Sequence, residues 1–245
     1  MNRQSEKPEK IPLVILHGVF GGSENYEAIN PFLPENCQPL PLDIPFFEEN
    51  TELTTIPSLI EYVKNYLNEK KFERVVLLGH SLGGHLGSIL ATEMPERILG
   101  LILSGSGGLF EKGFTKVPGS RPQREWVREK AAEVFQDPSH VTEKMIDMIM
   151  EVVTNRKKGL KLLHLAKSAK RDNVLEKLSL IRCPTLMIWG RLDRITPPEV
   201  ALQFHKQIPH SKLFWIENCG HAAMMEYPEE FARILSDWWN KTFLR

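Results

Sequence analysis

The chain of 245 residues has few cysteines, no excess of charge of either sign and no long apolar run. Its three cysteines lie far apart and form no Cys-x-x-Cys pair; they are Cys37, Cys183 and Cys219. This spacing argues against a disulfide framework and against a cysteine metal site. It favours free thiols in a reducing compartment. We therefore expect no metal and no other cofactor.

Charge and hydropathy exclude further classes of protein. The 31 basic residues balance the 31 acidic residues, so no general electrostatic attraction draws the chain to nucleic acid or to an anionic membrane. No apolar run approaches the ~20 residues that a membrane-spanning helix needs. Residues 1–10 are polar and charged and lack the apolar segment of a signal peptide. We expect a cytoplasmic protein with a small-molecule substrate and no nucleic-acid or membrane partner, whereas the oligomeric state is left open.

Short apolar runs alternate with longer helical patterns along most of the chain. The predicted strands are Pro12–Leu16, Gln38–Asp43, Arg74–Leu78, Ile98–Ser104, Thr185–Trp189 and Lys212–Ile216. The helical patterns between and after them are Asn25–Phe32, Thr55–Lys70, Leu82–Met94, Pro197–Lys206 and Pro228–Thr242. This alternation is typical of an α/β protein with a mostly parallel sheet that has helices on both faces.

The stretch 109–183 interrupts the alternation, since it contains helical patterns and no convincing strand. The patterns are Gln123–Phe135, Val141–Thr154 and Lys158–Lys170. They predict an all-helical cap inserted into an α/β core formed by residues 1–108 and 184–245. Residues Glu111–Arg182 hold 16 Lys and Arg against 10 Asp and Glu, a net charge of +6. Either these charges favour an anionic substrate or they lie on solvated helix faces.

The segment Gly79-His80-Ser81-Leu82-Gly83 stands between a predicted strand and a predicted helix. A Gly-x-Ser-x-Gly pattern in this place is typical of a nucleophile elbow, a tight and strained turn that exposes a serine hydroxyl above a sheet. A Cβ atom at position 79 or 83 would collide where strand and helix pack closely. We therefore predict Ser81 as a nucleophile.

A serine hydroxyl needs a base, and the base needs a group that orients it. Asp193 follows the strand Thr185–Trp189, and His221 follows the last predicted strand. The chain order serine, acid, histidine is the order used with a Gly-x-Ser-x-Gly elbow. We predict Asp193 as the acid and His221 as the base, with Glu217 as an alternative acid.

A glycine-rich turn, His17-Gly18-Val19-Phe20-Gly21-Gly22, directly follows the first predicted strand. Backbone N–H groups in such a turn can stabilise an oxyanion, and the N–H of Leu82 at the start of the next helix is the second expected donor. The sequence leaves open whether Val19 or Phe20 supplies the first donor. We expect His17 to brace the turn, and we assign no catalytic role to His80 or His85.

These residues resemble the motifs of the α/β-hydrolase superfamily, and the resemblance extends over nearly the whole chain. The motifs that carry it are His17-Gly18, Gly79-His80-Ser81-Leu82-Gly83-Gly84, Gly190-Arg191-Leu192-Asp193 and Gly220-His221. The resemblance implies an α/β-hydrolase fold with nucleophile, acid and base at Ser81, Asp193 and His221. It also implies a helical cap after the sixth of the family's usual eight strands.

The sequence departs from the family pattern in two places. Only about eleven residues precede the first predicted strand, so we expect the N-terminal hairpin of the family to be missing and the sheet to have about six strands. The family's common Asp-x-x-Gly-x-Gly-x-Ser loop is replaced by residues Asp43–Asn50. The shape of the pocket beside this loop therefore cannot be transferred from relatives.

Several activities occur among proteins with this resemblance. A serine nucleophile argues against haloalkane dehalogenases and epoxide hydrolases, which have an aspartate at the elbow. Carbon–carbon hydrolases of the meta-cleavage type usually have Asn before the serine and Trp after the histidine, where this chain has His80 and Ala222. We therefore expect a serine hydrolase that cleaves a carboxylic ester of a small, largely apolar substrate.

Two alternatives stay open, namely a carbon–carbon hydrolase and a hydrolase-fold receptor for small molecules with little turnover. Large apolar side chains are candidates for the pocket wall, although each also suits ordinary core packing: Phe20, Phe110, Trp126, Met145 and Met148.

Overall fold

The structure is a computed structural model that describes residues 10–110 and 122–244. In this part of the chain six parallel strands form one sheet in the order β2-β1-β3-β4-β5-β6. The strands are β1 (Ile11–Leu16), β2 (Cys37–Leu42), β3 (Val75–His80), β4 (Ile98–Ser104), β5 (Thr185–Gly190) and β6 (Ser211–Ile216). All six predicted strands are present, with ends shifted by no more than two residues.

Helices cover both faces of the sheet, as the alternation predicted. They are α1 (Ile56–Glu69), α2 (Leu82–Glu93), α6 (Pro198–Gln207), the short α7 (Ala223–Glu226) and α8 (Pro228–Phe243). The predicted helix after β1 is a 3-10 helix, Ser23–Phe32, with Pro31 inside it. Helix α1 begins after Thr55, whose side chain accepts a hydrogen bond from the Ser58 N–H and so satisfies one of the free amides of the first turn.

The core consists of two apolar clusters, one on each face of the sheet. Alternate side chains of β1 divide between them, since Val14 packs with α1, α2 and α6 whereas Leu13 and Ile15 pack with α8 and the 3-10 helix Ser23–Phe32. Burying one such side chain contributes about 2 kcal/mol. The two clusters therefore hold the carboxyl ends of the strands, and the loops that follow them, in fixed positions.

The described residues between β4 and β5, where the sequence predicted a helical insertion, form three α-helices. They are α3 (Arg124–Ala132), α4 (Glu143–Thr154) and α5 (Arg156–Arg171), with 3-10 helices at Pro138–His140 and Leu175–Leu180. The described residues of the segment contain no strand. The first part of the predicted cap, residues 111–121, lies outside the described residues.

Two further predictions can be compared with the structure. All three cysteines are free and buried. Among the described helices none combines the length and the hydropathy that crossing a membrane requires.

Candidate active site

Ser81 is the single residue between β3 and α2, and it lies in a strained turn. Its φ is 54° and its ψ is −119°, a backbone conformation that residues other than glycine rarely adopt. The Ser81 N–H donates to Ser104 O at 3.2 Å, and Ser81 O accepts from the N–H groups of Gly84 at 3.0 Å and Gly107 at 2.9 Å. These hydrogen bonds hold the turn in its unusual conformation.

The close packing predicted for the two elbow glycines is present. A Cβ atom on Gly83 would lie 1.9 Å from Leu16 O, and one on Gly79 would lie 2.4 Å from Gly83 O. Both distances are far shorter than any van der Waals contact. The start of α2 therefore lies directly on the backbone of β1 and β3, which positions Ser81 at the end of the sheet.

Asp193 and His221 form a buried pair. His221 Nδ1 lies 2.8 Å from Asp193 Oδ2, and the two residues are 4% and 3% exposed. The other carboxylate oxygen, Oδ1, accepts the N–H groups of Ile195 at 2.8 Å and Thr196 at 2.9 Å. This arrangement makes Nδ1 the donor and leaves Nε2 with its lone pair when the imidazole is neutral.

The environment keeps Asp193 ionised. Burial by itself raises the pKa of the carboxyl group, but the nearby His221 and the hydrogen bonds from His221 and Thr196 favour the charged form more strongly. The pKa of Asp193 is therefore below its ordinary value. An ionised Asp193 can orient the imidazole and stabilise it when it takes up a proton.

Thr196, which was not predicted from the sequence, contacts both members of this pair. Its side chain is fully buried, and its hydroxyl donates to Asp193 Oδ2 at 2.8 Å while lying 3.2 Å from His221 Nδ1. The available signal was the spacing Asp193-x-x-Thr196, because an aspartate commonly accepts hydrogen bonds from backbone N–H groups two and three residues ahead.

The alternative acid, Glu217, lies at the surface. Its carboxylate pairs with Arg191 at 3.1 Å, and the Arg191 guanidinium lies over the Trp215 ring at 4.1 Å from the ring centre. Both members of the ion pair are exposed. The carboxylate that contacts His221 is thus that of Asp193.

The end of β4 and the residue before Ser81 bring Ser81 and His221 to the same place. Ser104 O accepts the Ser81 N–H, and the next residue, Gly105, lies so close to the imidazole that a Cβ atom there would be 2.7 Å from His221 Nδ1. His80 packs against the same imidazole, with ring centres 4.7 Å apart. The structure therefore brings the three predicted residues Ser81, Asp193 and His221 together.

His80 makes a hydrogen bond that was not predicted from the sequence. Its Nε2–H donates to the backbone oxygen of His221 at 3.1 Å. Burial, and next the proximity of His221, lower the pKa of His80 to about 3. His80 is thus a neutral imidazole that holds the loop carrying His221.

The glycine-rich turn after β1 lies beside Ser81. The Gly21 N–H donates to Gly18 O at 3.0 Å, so Val19 and Phe20 are the central residues of a tight turn. A Cβ atom on Gly18 would lie 3.2 Å from Ser81 Cβ. The predicted oxyanion donors of this turn are therefore carried by a segment that touches the serine.

His17 braces this turn, in the role that the sequence suggested. Its Nε2 accepts the Ile44 N–H at 2.8 Å, and its Nδ1–H donates to Gly18 O at 2.7 Å. Leu82, the other predicted donor, is the first residue of α2, and the N–H of a first helical residue has no acceptor within its own helix.

Comparison with known proteins identifies the family of the chain. A model of the alpha/beta hydrolase family matches residues 13–234. The chain belongs to this family. The family and the names of its relatives support hydrolysis as the reaction.

Three similar proteins illustrate the range within this family. An alpha/beta hydrolase enzyme from the metagenome of sediments of the Mar Chica lagoon in Morocco has a TM-score of 0.77 and 34% sequence identity, and the match covers 96% of this chain and 93% of that one. The 2-hydroxy-6-oxo-6-phenylhexa-2,4-dienoate hydrolase of Comamonas testosteroni is 28% identical, with 96% and 89% of the two chains covered. Monoacylglycerol lipase ABHD6 of Mus musculus is 26% identical, with 96% and 76% covered.

A groove of about 240 Å³ in this hydrolase runs from the glycine-rich turn to the inserted helices. Its wall consists mostly of apolar side chains from the loop after β2, which is the loop that departs from the family pattern. The lining residues are Val19, Gly21, Ile44, Pro45, Phe46, Phe47 and Glu48 from the core, and Met148 and Lys158 from α4 and α5.

The five apolar side chains that the sequence suggested as pocket wall have different surroundings. Met148 lines the groove. Phe20 and Trp126 pack against the small core of α3 and α4, and Phe20 also stacks on Phe47 with ring centres 5.7 Å apart. Met145 packs against the cluster beneath α8, whereas Phe110 is 57% exposed.

The segment that follows α3 is joined to the loop of His221 by one backbone hydrogen bond and by a carboxylate. The His221 N–H donates to Val134 O at 2.7 Å. The carboxylate of Glu226 accepts hydrogen bonds from the N–H groups of Gly220 at 2.8 Å and Gln136 at 2.7 Å. This side chain therefore forms a joint between the two segments. Glu226 was not predicted from the sequence, because nothing in its local pattern indicates a partner 90 residues away.

Proposed function

We propose that this protein is a serine hydrolase that cleaves a carboxylic ester of a small, largely apolar substrate. In this proposal Ser81 is the nucleophile, His221 the general base and Asp193 the acid that orients it. The observation that carries the proposal is the buried Asp193–His221 pair beside a serine held at a positive φ.

The reaction proceeds through an acyl-enzyme. His221 takes the proton of the Ser81 hydroxyl through Nε2 while the serine oxygen attacks the ester carbonyl. The tetrahedral intermediate collapses as the imidazolium returns the proton to the leaving alcohol. A water molecule, deprotonated by His221, then attacks the acyl-enzyme, and the imidazolium returns this proton to the Ser81 oxygen as the carboxylic acid is released. Asp193 keeps Nδ1 protonated and stabilises the imidazolium in both halves of the reaction.

The developing oxyanion accepts hydrogen bonds from the N–H of Leu82 and from that of Val19 or Phe20. The position of Leu82 at the start of α2 supports its role, because the amino end of a helix favours negative charge. The contact of Gly18 with Ser81 supports a donor from the following turn.

We further propose that residues 109–183 form a cap over a core of residues 1–108 and 184–245. The apolar groove between the loop after β2 and helices α4 and α5 supports a largely apolar acyl or alcohol group. Lys158, the cation at this groove, is paired with Glu151. This pairing weakens the case for an anionic substrate.

Carbon–carbon hydrolysis is the second candidate. It is favoured by the similarity to the hydrolase of Comamonas testosteroni, whose name describes a dienoate substrate. His80 before the serine and Ala222 after the histidine differ from the residues usual in that class. Loss of the yellow colour of a dienoate ring-fission product, with no turnover of esters, would establish this activity instead.

A nitrophenyl ester panel with acyl chains of increasing length tests the proposal. We expect a burst of nitrophenol followed by turnover, and Ser81→Ala should lower kcat by about 10⁴-fold or more. Ser236→Ala, which changes a serine on α8 whose hydroxyl contacts Phe32 O, is the matched control and should leave kcat unchanged. Absence of both burst and turnover in the unmodified protein would exclude an esterase, and ligand-dependent stabilisation without turnover would indicate a receptor.

A further inference from the structure

The two edge strands of the sheet differ in how they are protected against pairing with a strand of another molecule. The edge strand β2 contains Pro39 and Pro41, and proline on an edge strand prevents the addition of another strand because it has no N–H to donate. The opposite edge strand, β6, reads Ser-Lys-Leu-Phe-Trp-Ile and has no proline. Within the described ranges β6 pairs with β5 alone. Its outer side is therefore an open edge, and Lys212 is the one charged residue of this strand.

The backbone of β6 presents hydrogen-bonding groups to this edge. The Arg191 N–H donates to Ile216 O at 2.9 Å, and the Thr185 N–H donates to His210 O at 3.2 Å, so the even-numbered residues face β5. Successive residues of a strand face opposite directions. Leu213 and Trp215 therefore direct their N–H and C=O groups to the open side.

A groove of about 300 Å³ lies between β6 and α8 beside the open edge. Its floor is apolar and includes Phe214, Ile234 and Trp238. Phe214 is 42% exposed, which is unusual for a phenylalanine in the middle of a strand. The edge thus combines free backbone groups with an uncovered apolar surface.

Charges along α8 form the rim of this groove in an alternating order. The order along the helix is Glu230, Arg233, Asp237 and Lys241. The spacing of three and four residues places these side chains on one side of the helix. Beside an antiparallel second α8, Glu230 of each copy faces Lys241 of the other, and Arg233 faces Asp237. The surface is self-complementary about a two-fold axis near Leu235.

We propose that a second copy of this chain docks at this edge, with the two β6 strands antiparallel and the two sheets continuous. Pairing centred on Phe214 lets Leu213 of each copy exchange hydrogen bonds with Trp215 of the other and brings the two Phe214 side chains into contact. Helix α8 packs on both β5 and β6. With strands about 4.8 Å apart, the two α8 axes then lie about 10 Å apart, a normal distance for packed helices.

Reversal of single charges tests the proposal. Arg233→Glu and Asp237→Arg each place like charges against the second copy, twice by symmetry, and each should weaken dimerisation at least about tenfold. An equimolar mixture of these two variants should form heterodimers, because the changed positions then face each other with opposite charge. Sedimentation velocity at protein concentrations up to about 100 µM measures the fraction of dimer in the unmodified chain, in each variant and in their mixture.

Two further variants complete the experiment. Lys167→Glu reverses an exposed cation on α5, which packs on α4 and α1, and should leave the dimer unchanged. Phe214→Lys places a charge on the open edge and should give monomers, with faster amide exchange at Leu213 and Trp215. An unmodified chain that stays monomeric at all concentrations would overturn the proposal. A dimer whose stability is unchanged by both charge reversals would also overturn the proposal, as would a mixture of the two variants that stays monomeric.

Discussion

The sheet and the inserted helices of this hydrolase are stabilised in different ways. The four residues of β3 that precede the elbow, Val75–Leu78, are fully buried between two large apolar clusters. Helices α3 and α4 share a cluster of only four buried residues, namely Val127, Ala131, Ile146 and Ile149. Ion pairs on their exposed faces add to it, with Arg124 bound to both Glu143 and Asp147.

This difference separates the part of the protein that holds the reacting groups from the part that shapes the groove. The turn of Ser81 keeps its strained backbone because tightly packed strands surround it. The inserted helices contact the core through polar joints, such as the Lys161 ammonium on Thr51 O at 2.7 Å and the Ser168 hydroxyl, which accepts the Ile56 N–H at 2.9 Å. They also contact it through apolar side chains such as Leu165, which is buried in the cluster that contains α1 and α2. We expect substitutions in the core to affect folding, and substitutions at the joints to affect activity.

The largest expected effect is that of Gly83→Ala at the elbow. The added Cβ atom would lie 1.9 Å from Leu16 O, a backbone atom of the sheet that cannot move away. We expect a loss of more than about 3 kcal/mol in the free energy of unfolding. Urea denaturation measures this loss, and a soluble variant with unchanged stability would contradict the close packing.

Gly159→Ala in α5 is the matched control from the inserted helices. The nearest atom to its added Cβ would be Val152 O at 3.7 Å, an ordinary contact. Because alanine has a higher helix propensity than glycine, we expect the free energy of unfolding to increase by about 0.5–1 kcal/mol. The same substitution should thus have opposite effects in the two regions.

The joint at Glu226 should give the next largest effect. Glu226→Ala removes the acceptor of the Gly220 and Gln136 N–H groups and frees the loop of His221 to shift. We expect kcat/KM for an ester to fall about tenfold to a hundredfold, because small displacements of a catalytic group are costly. Glu226→Gln keeps one of the two oxygen acceptors and turns an NH2 group toward the other N–H donor, so we expect an intermediate loss of activity.

Glu229→Ala is the control for this joint, since Glu229 is exposed in the first turn of α8. Steady-state kinetics with thermal denaturation separates an effect on the site from a general loss of folding. Full activity of Glu226→Ala would show that the joint does not position His221.

A smaller effect concerns pH and the partly buried imidazole of His80. The unfolded side chain binds a proton below its ordinary pKa of 6.5, whereas folded His80 binds one only near its lowered pKa of about 3. Unfolding therefore takes up a proton in this range, and stability falls as the pH is lowered from 6.5. Burial also lowers the pKa of His17 and His85, which act in the same direction.

We expect His80→Asn to reduce this dependence by up to about 1.4 kcal/mol per pH unit between pH 6.5 and pH 5. Urea denaturation at several pH values measures the slope. The Asp193 carboxyl, whose pKa is lowered, affects stability only below its ordinary value of 3.8 and so does not disturb this range. Equal slopes in the two proteins would contradict the assignment.

The smallest effect is expected for Arg124→Ala on the exposed side of α3. This change removes the ion pairs to Glu143 and Asp147, which are solvated and screened by salt. We expect Tm to fall by less than about 3 °C, and by less still at high salt. A larger fall would mean that ion pairs stabilise the inserted helices more than their small core does.

Much of this architecture follows from local sequence patterns. Runs of apolar, β-branched residues such as Val75–Leu78 determine where a buried strand lies, because such runs suit a sheet covered on both faces. The helical spacing of α3, α4 and α5 determined the insertion in the same way. The chain order of Ser81, Asp193 and His221 was also readable, since each follows a predicted strand.

Only the tertiary structure decided which side chains meet around these residues. Thr196 on Asp193, His80 on His221 and Glu226 across the joint are contacts between loops that are distant in sequence. Local patterns report how a segment folds, whereas such contacts depend on which loops the sheet order brings to one edge. The amino-acid sequence therefore determined the elements and the candidate chemistry, and the packing of the sheet determined the surroundings in which that chemistry takes place.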